Sequence, residues 1–228
     1  LVIDMDYPGI KLSVNSMVEY WDRSASCANE PDTVRWIESM QPGSILFDVG
    51  ANVGAYSLIA AKRGIYVHAF EPAAANYSSL CLNIQLNNLA HLIFAYPFAL
   101  SEKSGASIFH YSSMRPGHAL HSLGLPKSVS MFRQPVIVVA LDDLVELWDK
   151  KPTHIKIDVD GAELEVLCGA TTTLQSVQSV LVELTEENKS EVANYLGTFG
   201  LVYESCGDLN REHGTRNYIF RKCLQSDI

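Results

Sequence analysis

The residues best suited to chemistry fall in four short stretches. Asp48-Val-Gly50-Ala-Asn52-Val-Gly54 closes one apolar run, Glu71-Pro72 a second, Asp158 and Asp160 a third, and Glu183 a fourth. Glycines at a strand-to-helix turn let the backbone approach a ligand closely, while the following helix offers free N–H groups to it. A carboxylate at the carboxyl end of the neighbouring strand, as Glu71 would be, accepts hydrogen bonds from both ribose hydroxyls. Together they point to a cofactor containing adenosine. A dinucleotide fingerprint wants glycine at its first, third and sixth positions. Counted from Gly50, those positions hold Gly50, Asn52 and Ala55. Asp48 suits the cationic aminoacyl and sulfonium end of S-adenosylmethionine better than a pyrophosphate, because opposite charges attract in a partly desolvated crevice.

Methyl transfer from a sulfonium is an in-line displacement in which the protein positions a nucleophile and, for a hydroxyl, helps remove its proton. Asp158, at the crevice edge, is the candidate wall of such a site. Histidine is the usual base near neutral pH, and His118 and His121 are the candidates, against the alternative that each is a solvated loop residue. His68, inside a strand, and His154, just before one, read as structural, while His110 belongs to the insert described below and His213 to a late loop. Lys156, Asp158 and Asp160 alternate with Ile155, Ile157 and Val159, so a central strand carries a lysine that must pair with Asp158 or Asp48. With Glu183, these carboxylates offer oxygen ligands of the kind Mg²⁺ takes. Lys156 and the sulfonium already compensate their charge, so no metal is expected.

The elements that must position these groups alternate β-branched or aromatic runs with amphipathic segments, as in a doubly wound α/β sheet. Strands are expected at Ile45–Val49, Tyr66–Phe70, Leu92–Tyr96, Ile155–Val159 and Val180–Leu184, with later ones near Leu201–Glu204 and Tyr218–Arg221. Tyr77, Leu80, Cys81 and Ile84 repeat at helical spacing, as do Val192, Tyr195, Leu196 and Phe199. Between Ser101 and His154 the alternation breaks into two β-like runs, Ala106–Tyr111 and Pro135–Leu141, around a Ser-, Gly-, Pro- and His-rich stretch. The reading is one domain over 1–228: an N-terminal cap segment (1–43), then a Rossmann-like core (44–228). The mostly parallel sheet carries a β-hairpin-like insert (about 105–139) before the fourth strand. That insert is expected to form the acceptor side of the pocket, with a tip at Met114–His118 that moves until acceptor binds.

Composition narrows the partners. The chain of 228 residues is 47% hydrophobic, enough for one substantial core, and its net charge of -9 comes without a basic cluster. Nucleic acid is therefore an unsuitable partner, and no apolar stretch approaches the ~20 residues of a membrane span. Five scattered cysteines without C-x-x-C spacing read as reduced thiols in the cytoplasm. No basic-then-apolar leader opens the chain, although one already removed would leave no trace.

In combination and order, Asp48–Gly54, Phe70-Glu71-Pro72, Leu141-Asp-Asp-Leu144 and Ile155-Lys-Ile-Asp-Val-Asp-Gly-Ala-Glu163 resemble the FkbM-type methyltransferases over residues 30 to 185. The resemblance implies a class I methyltransferase fold, S-adenosylmethionine as donor, and O-methylation of natural products or sugars. It also implies that Asp48, Gly50, Asn52 and Gly54 line the methionine side, that Glu71 holds the ribose beside Pro72, and that the backbone near Ala99 meets the adenine. Phe98 either stacks on that adenine or packs in the core. Asp160 departs from the family, which more often has glutamate there. Two alternatives remain: a nicotinamide-dependent oxidoreductase on the same fold, and a catalytically inactive S-adenosylmethionine-binding module.

Overall fold

The computed structural model describes residues 1–119, 121–124, 132–148, 150–210 and 214–223. His213 and part of the insert, 125–131, lie outside the described residues. The chain opens with an antiparallel ribbon of β1 (Val2–Asp4) and β2 (Lys11–Ser13), a π-helical turn at Glu19–Arg23, and helices α1 (Ser26–Asn29) and α2 (Pro31–Glu38). Regular alternation follows: β3 (Ile45–Val49), α3 (Ala55–Lys62), β4 (Tyr66–Phe70), α4 (Ala74–Leu86) and β5 (Ile93–Tyr96). A small sheet comes next, from β6 (Ala99–Leu100), β7 (Gly105–Tyr111), β8 (Ser122–Leu123) and β9 (Phe132–Val139). Then come α5 (Leu141–Trp148), β10 (His154–Ile157), α6 (Glu163–Cys168), β11 (Ser179–Thr185), α7 (Lys189–Gly197), β12 (Leu201–Cys206) and β13 (Thr215–Lys222).

The main sheet runs β12-β13-β11-β10-β3-β4-β5, parallel except for β13, which is antiparallel to both its neighbours. From β3 the chain winds outward to β4 and β5, and from β10 it winds the other way to β11. Strand order therefore reverses between β3 and β10, and their carboxyl ends leave a crevice for a ligand.

Alternation along each strand decides which layer its side chains enter. Leu46, Val67 and Leu181 join Trp36, Ile37, Leu58 and Leu80 in one core, under α2, α3 and α4. Phe47, Val49, Ile155, Ile157, Val180 and Val182 join Leu141, Val166, Leu167 and Leu196 in the other, under α5, α6 and α7. Covering both faces requires the nearly continuous apolar runs seen in these strands. Among the described residues, no helix is long and apolar enough to cross a membrane.

The insert is built from β7 and β9, antiparallel from Gly105↔Val138 to Tyr111↔Phe132, with β8 on its outer edge. The Tyr111 hydroxyl accepts the Ala74 N–H at 2.8 Å and donates to Gln134, whose amide donates in turn to the Pro72 carbonyl at 3.2 Å. This chain ties the insert to the loop after β4. One expectation needs correcting: β10 ends at Ile157, and Asp160 sits at φ 56 on the way into α6. Asp158 and Asp160 therefore do not extend the alternation of Lys156.

Candidate active site

The glycine turn is shaped by what it touches. At Gly50 (φ +82), a Cβ would lie 1.8 Å from the Asp158 carbonyl oxygen, so only glycine lets β3 and β10 end this close together. Gly50 and Ala51 donate their N–H groups to the Phe70 carbonyl at 2.9 and 3.0 Å. Asn52, at φ 51, takes a left-handed conformation that asparagine tolerates better than most residues. Its N–H donates to Glu71 Oε2 and that of Ala73 to Glu71 Oε1, both at 2.8 Å. Burial pushes the Glu71 carboxyl up to about 7, against the lowering effect of those two donors.

The crevice encloses about 1180 Å³ of space, its open mouth included. Gly50, Asn52, Glu71, Pro72 and Ala99 line one end of it, together with Phe98, which also packs on Phe70 and Tyr96. Asp48 and Gly54 are not among the lining residues. Asp48 shares the strand face of Leu46 and points behind the turn, where it accepts the Ser57 hydroxyl at 2.5 Å. Burial raises its pKa, opposed by Lys156 and Ser57. Its charge acts on the buried lysine rather than at the crevice wall. Gly54 (φ +90) instead makes room for Leu80, whose Cδ1 would be 2.5 Å from a Cβ there.

At the other end of the crevice, Lys156 is 1% exposed and its Nζ donates to Asp158 Oδ2 at 2.9 Å, 5.1 Å from the centre of the Tyr56 ring. Burial alone would lower its pKa, but Asp158, Asp48 and Glu30 outweigh that and hold it raised. Burial likewise works to raise Asp158, and Lys156 reverses the direction, so Asp158 is held below its usual range. Glu183, on the next strand, moves the other way. Burial and the Asp158 charge push it up to about 9, although it accepts the Thr215 hydroxyl at 2.7 Å. Neighbouring carboxyls are thus split into one ionised and one protonated.

His118 and His121 also line the crevice. The His118 carbonyl accepts the side-chain amides of Asn52 and Asn76 at 3.2 and 3.1 Å. The His121 ring packs on Phe109 and Tyr111, its Nδ1 accepts the Ser112 N–H at 3.2 Å, and burial lowers its pKa to about 4. Far from hanging loose, the tip is anchored: the Pro116 carbonyl accepts the Ser16 hydroxyl at 2.7 Å, and the Gly117 N–H donates to Asn76 at 2.8 Å. It lies over the glycine turn as a strap. His68 and His154 sit inside the fold, stacked on Tyr96 and bonded to Ser179 respectively.

Asp160 and Glu163 brace the loop into α6: Asp160 accepts the His121 N–H at 3.2 Å, and Glu163 the Gly161 N–H at 2.6 Å. Among the described residues, no three His, Cys, Asp or Glu side chains are grouped to hold a metal ion. Sequence reasoning missed Arg23, Ser26, Glu30, Tyr56 and Asn76 as lining residues. No local motif marks them: Arg23, Ser26 and Glu30 reach the crevice only because the N-terminal segment packs there, and Tyr56 and Asn76 stand in the first turns of α3 and α4. Buried Glu19 fastens that segment to α4, accepting the Ser79 hydroxyl and the Asn15 N–H, both at 2.6 Å.

Asp48 Oδ1, Asn52 Oδ1 and His118 Nε2 are buried without a hydrogen-bond partner among the described residues. Such vacancies cost free energy unless a polar ligand fills them. The turn, the Glu71 carboxylate, Asn52 Oδ1 and His118 Nε2 all belong to residues of the crevice and fit an adenosine-bearing donor, whereas Asp48 Oδ1 lies behind the turn.

Residues 48–216 match the family model for the methyltransferase FkbM domain. The hexuronic acid methyltransferase AglP of Haloferax volcanii is 31% identical over 176 residues, covering 76% of this chain and 70% of that protein. The 31-O-demethyl-FK506 methyltransferase FkbM of Streptomyces tacrolimicus is 27% identical, covering 57% of this chain and 60% of its own length. Among solved structures, magnesium protoporphyrin IX methyltransferase from Synechocystis PCC 6803 superposes with a TM-score of 0.57 at 12% identity, over 92% of this chain and 86% of that one. At that identity the likeness speaks for a class I methyltransferase fold and nothing finer.

Proposed function

Because the chain belongs to the FkbM methyltransferase family, we propose that it methylates a hydroxyl oxygen on a small molecule, a sugar or another hydroxylated natural product. The methyl donor is S-adenosylmethionine, which supplies an electrophilic methyl group on a sulfonium. Family membership sets aside the nicotinamide-dependent alternative. The observation that carries the reading is a single crevice with the Glu71 turn at one end and the Lys156–Asp158–Glu183 group at the other. Glu71 holds the ribose, with Gly50, Asn52, Pro72 and Ala99 around the donor. Asp158, kept ionised by Lys156, takes the hydroxyl proton, and protonated Glu183 holds the Asp158 carboxylate in place by donating to it. We place Asp158 ahead of His121 in this role because the His121 ring nitrogen is engaged; the His118 ring, whose Nε2 faces no partner among the described residues, is the second candidate base.

The net charge of -9 supports a non-polyanionic acceptor. AglP and FkbM, named for a hexuronic acid and for a natural product, support its size class. A cytoplasmic setting belongs to the same proposal, supported by described cysteines that form no disulfide. Acceptor pools incubated with isotope-labelled donor, with and without EDTA, test the reading by mass spectrometry. The expected product carries the label on a small-molecule oxygen, and chelation leaves the yield unchanged. Label on nitrogen or carbon overturns O-methylation, loss of product on chelation that Mg²⁺ restores overturns the metal-free site, and bound donor with no product in any pool makes the chain a binding module.

A further inference from the structure

Arg23 closes the π-helical turn and stands where the crevice opens into an outer chamber lined by Glu30, Asp32, Asp208 and Asn217. It lines both spaces. Its Nε and Nη2 donate to the Gly117 carbonyl at 3.1 and 2.7 Å, which commits one edge of the guanidinium. Among the described residues, no carboxylate lies within ion-pairing distance of it. Arg23 lines the same crevice as Glu71 and Asp158, and its charge works to lower the pKa of both. The other described cation lining the crevice, Lys156, is already paired with Asp158.

A guanidinium carries five N–H donors in one plane, so a fork pinned along one edge still offers the other to a planar anion. The pin itself is stiff. Gly117 also donates its N–H to Asn76, and a Cβ at Gly117 would lie 2.9 Å from Glu19 Cγ, so strap and N-terminal segment interlock around the arginine. An arginine held in advance loses little freedom on binding. We propose that Arg23 is a carboxylate-binding residue of the crevice, taking the methionine carboxylate of the donor or an acid group on the acceptor. The inference rests on the methyltransferase reading for the naming of these two sources.

Calorimetric titration of wild type, Arg23→Met and Arg23→Lys tests it, using S-adenosylhomocysteine and 5′-methylthioadenosine, which lacks the amino-acid end. If the donor is the source, Arg23→Met weakens S-adenosylhomocysteine about tenfold or more and leaves methylthioadenosine nearly unchanged, with Arg23→Lys between. If the acceptor is the source, both nucleosides bind as before. Methyl glucuronoside, titrated against the S-adenosylhomocysteine complex, then loses affinity in Arg23→Met while neutral methyl glucoside does not. Equal weakening of both nucleosides, or no selective loss with either carboxylate probe, overturns the assignment. Wild type that binds S-adenosylhomocysteine but makes no methylated product would undo the proposed function and leave this readout intact.

Discussion

With Glu71 holding the ribose as proposed, proton binding and donor binding are tied together at one residue. Its folded pKa of about 7 lies above the ordinary 4.5, so the folded chain holds this proton more tightly than the unfolded chain. Its contribution to stability is therefore largest below pH 4.5 and falls as pH rises towards 7. Donor binding has the opposite sign, because ribose hydroxyls need acceptor oxygens. S-adenosylhomocysteine should bind more weakly as pH drops below about 7, and Glu71→Gln should lose that dependence. It should also lose about 1.5–3 kcal/mol of affinity, since an amide NH₂ would then face a backbone N–H; titration calorimetry across this range reads both effects. At the reacting end, Asp158→Asn should lower turnover at saturating donor by about a hundredfold or more. Glu183→Gln keeps a neutral donor and should cost far less below pH 9, where Glu183 is protonated. Equal losses in a turnover assay would mean that the two carboxyls do not divide the work. The places of Glu71 and Asp158 at the carboxyl edge of the sheet were readable in sequence because each directly follows a recognisable strand. The displacement of Asp48 behind the turn was not, since it follows from the strand face that Asp48 shares with Leu46.

The insert shows what an element reveals and what it conceals. Two β-like runs across a polar stretch predict a hairpin, and β7 pairs with β9 throughout. Where that hairpin docks depends on Asn52, Asn76 and Arg23, residues with no pattern in common. Asn76→Ala removes bonds to both Gly117 and His118. It should speed proteolytic cleavage between residues 112 and 119 and weaken S-adenosylhomocysteine binding, and limited proteolysis with and without that ligand checks both. The turn below is less forgiving. Gly50→Ala forces a Cβ to 1.8 Å from the Asp158 carbonyl at a positive φ, and thermal unfolding should show Tm lowered by several degrees.

Across the whole molecule, the N-terminal segment works as part of the core rather than as a cover. Trp36 is 2% exposed and donates its indole N–H to Ser179 on β11 at 2.9 Å, bridging the segment to the centre of the sheet. Trp36→Ala should cost about 3–5 kcal/mol in chemical denaturation, as for other large buried aromatics. Sequence by itself determined the strand and helix alternation, the glycine turn, a carboxylate just past the second core strand and the family, because each is written in neighbouring residues at a period of 2 or 3.6 or in a contiguous motif. Only the tertiary structure decided which charges meet. Arg23 finds Gly117 across 94 positions and Ser79 finds Glu19 across 60, while burial, with an Asp158 that Lys156 keeps ionised, holds Glu183 protonated. Contacts of that range depend on how the layers close on one another, and burial, which sets the pKa of each group, exists only once they have closed.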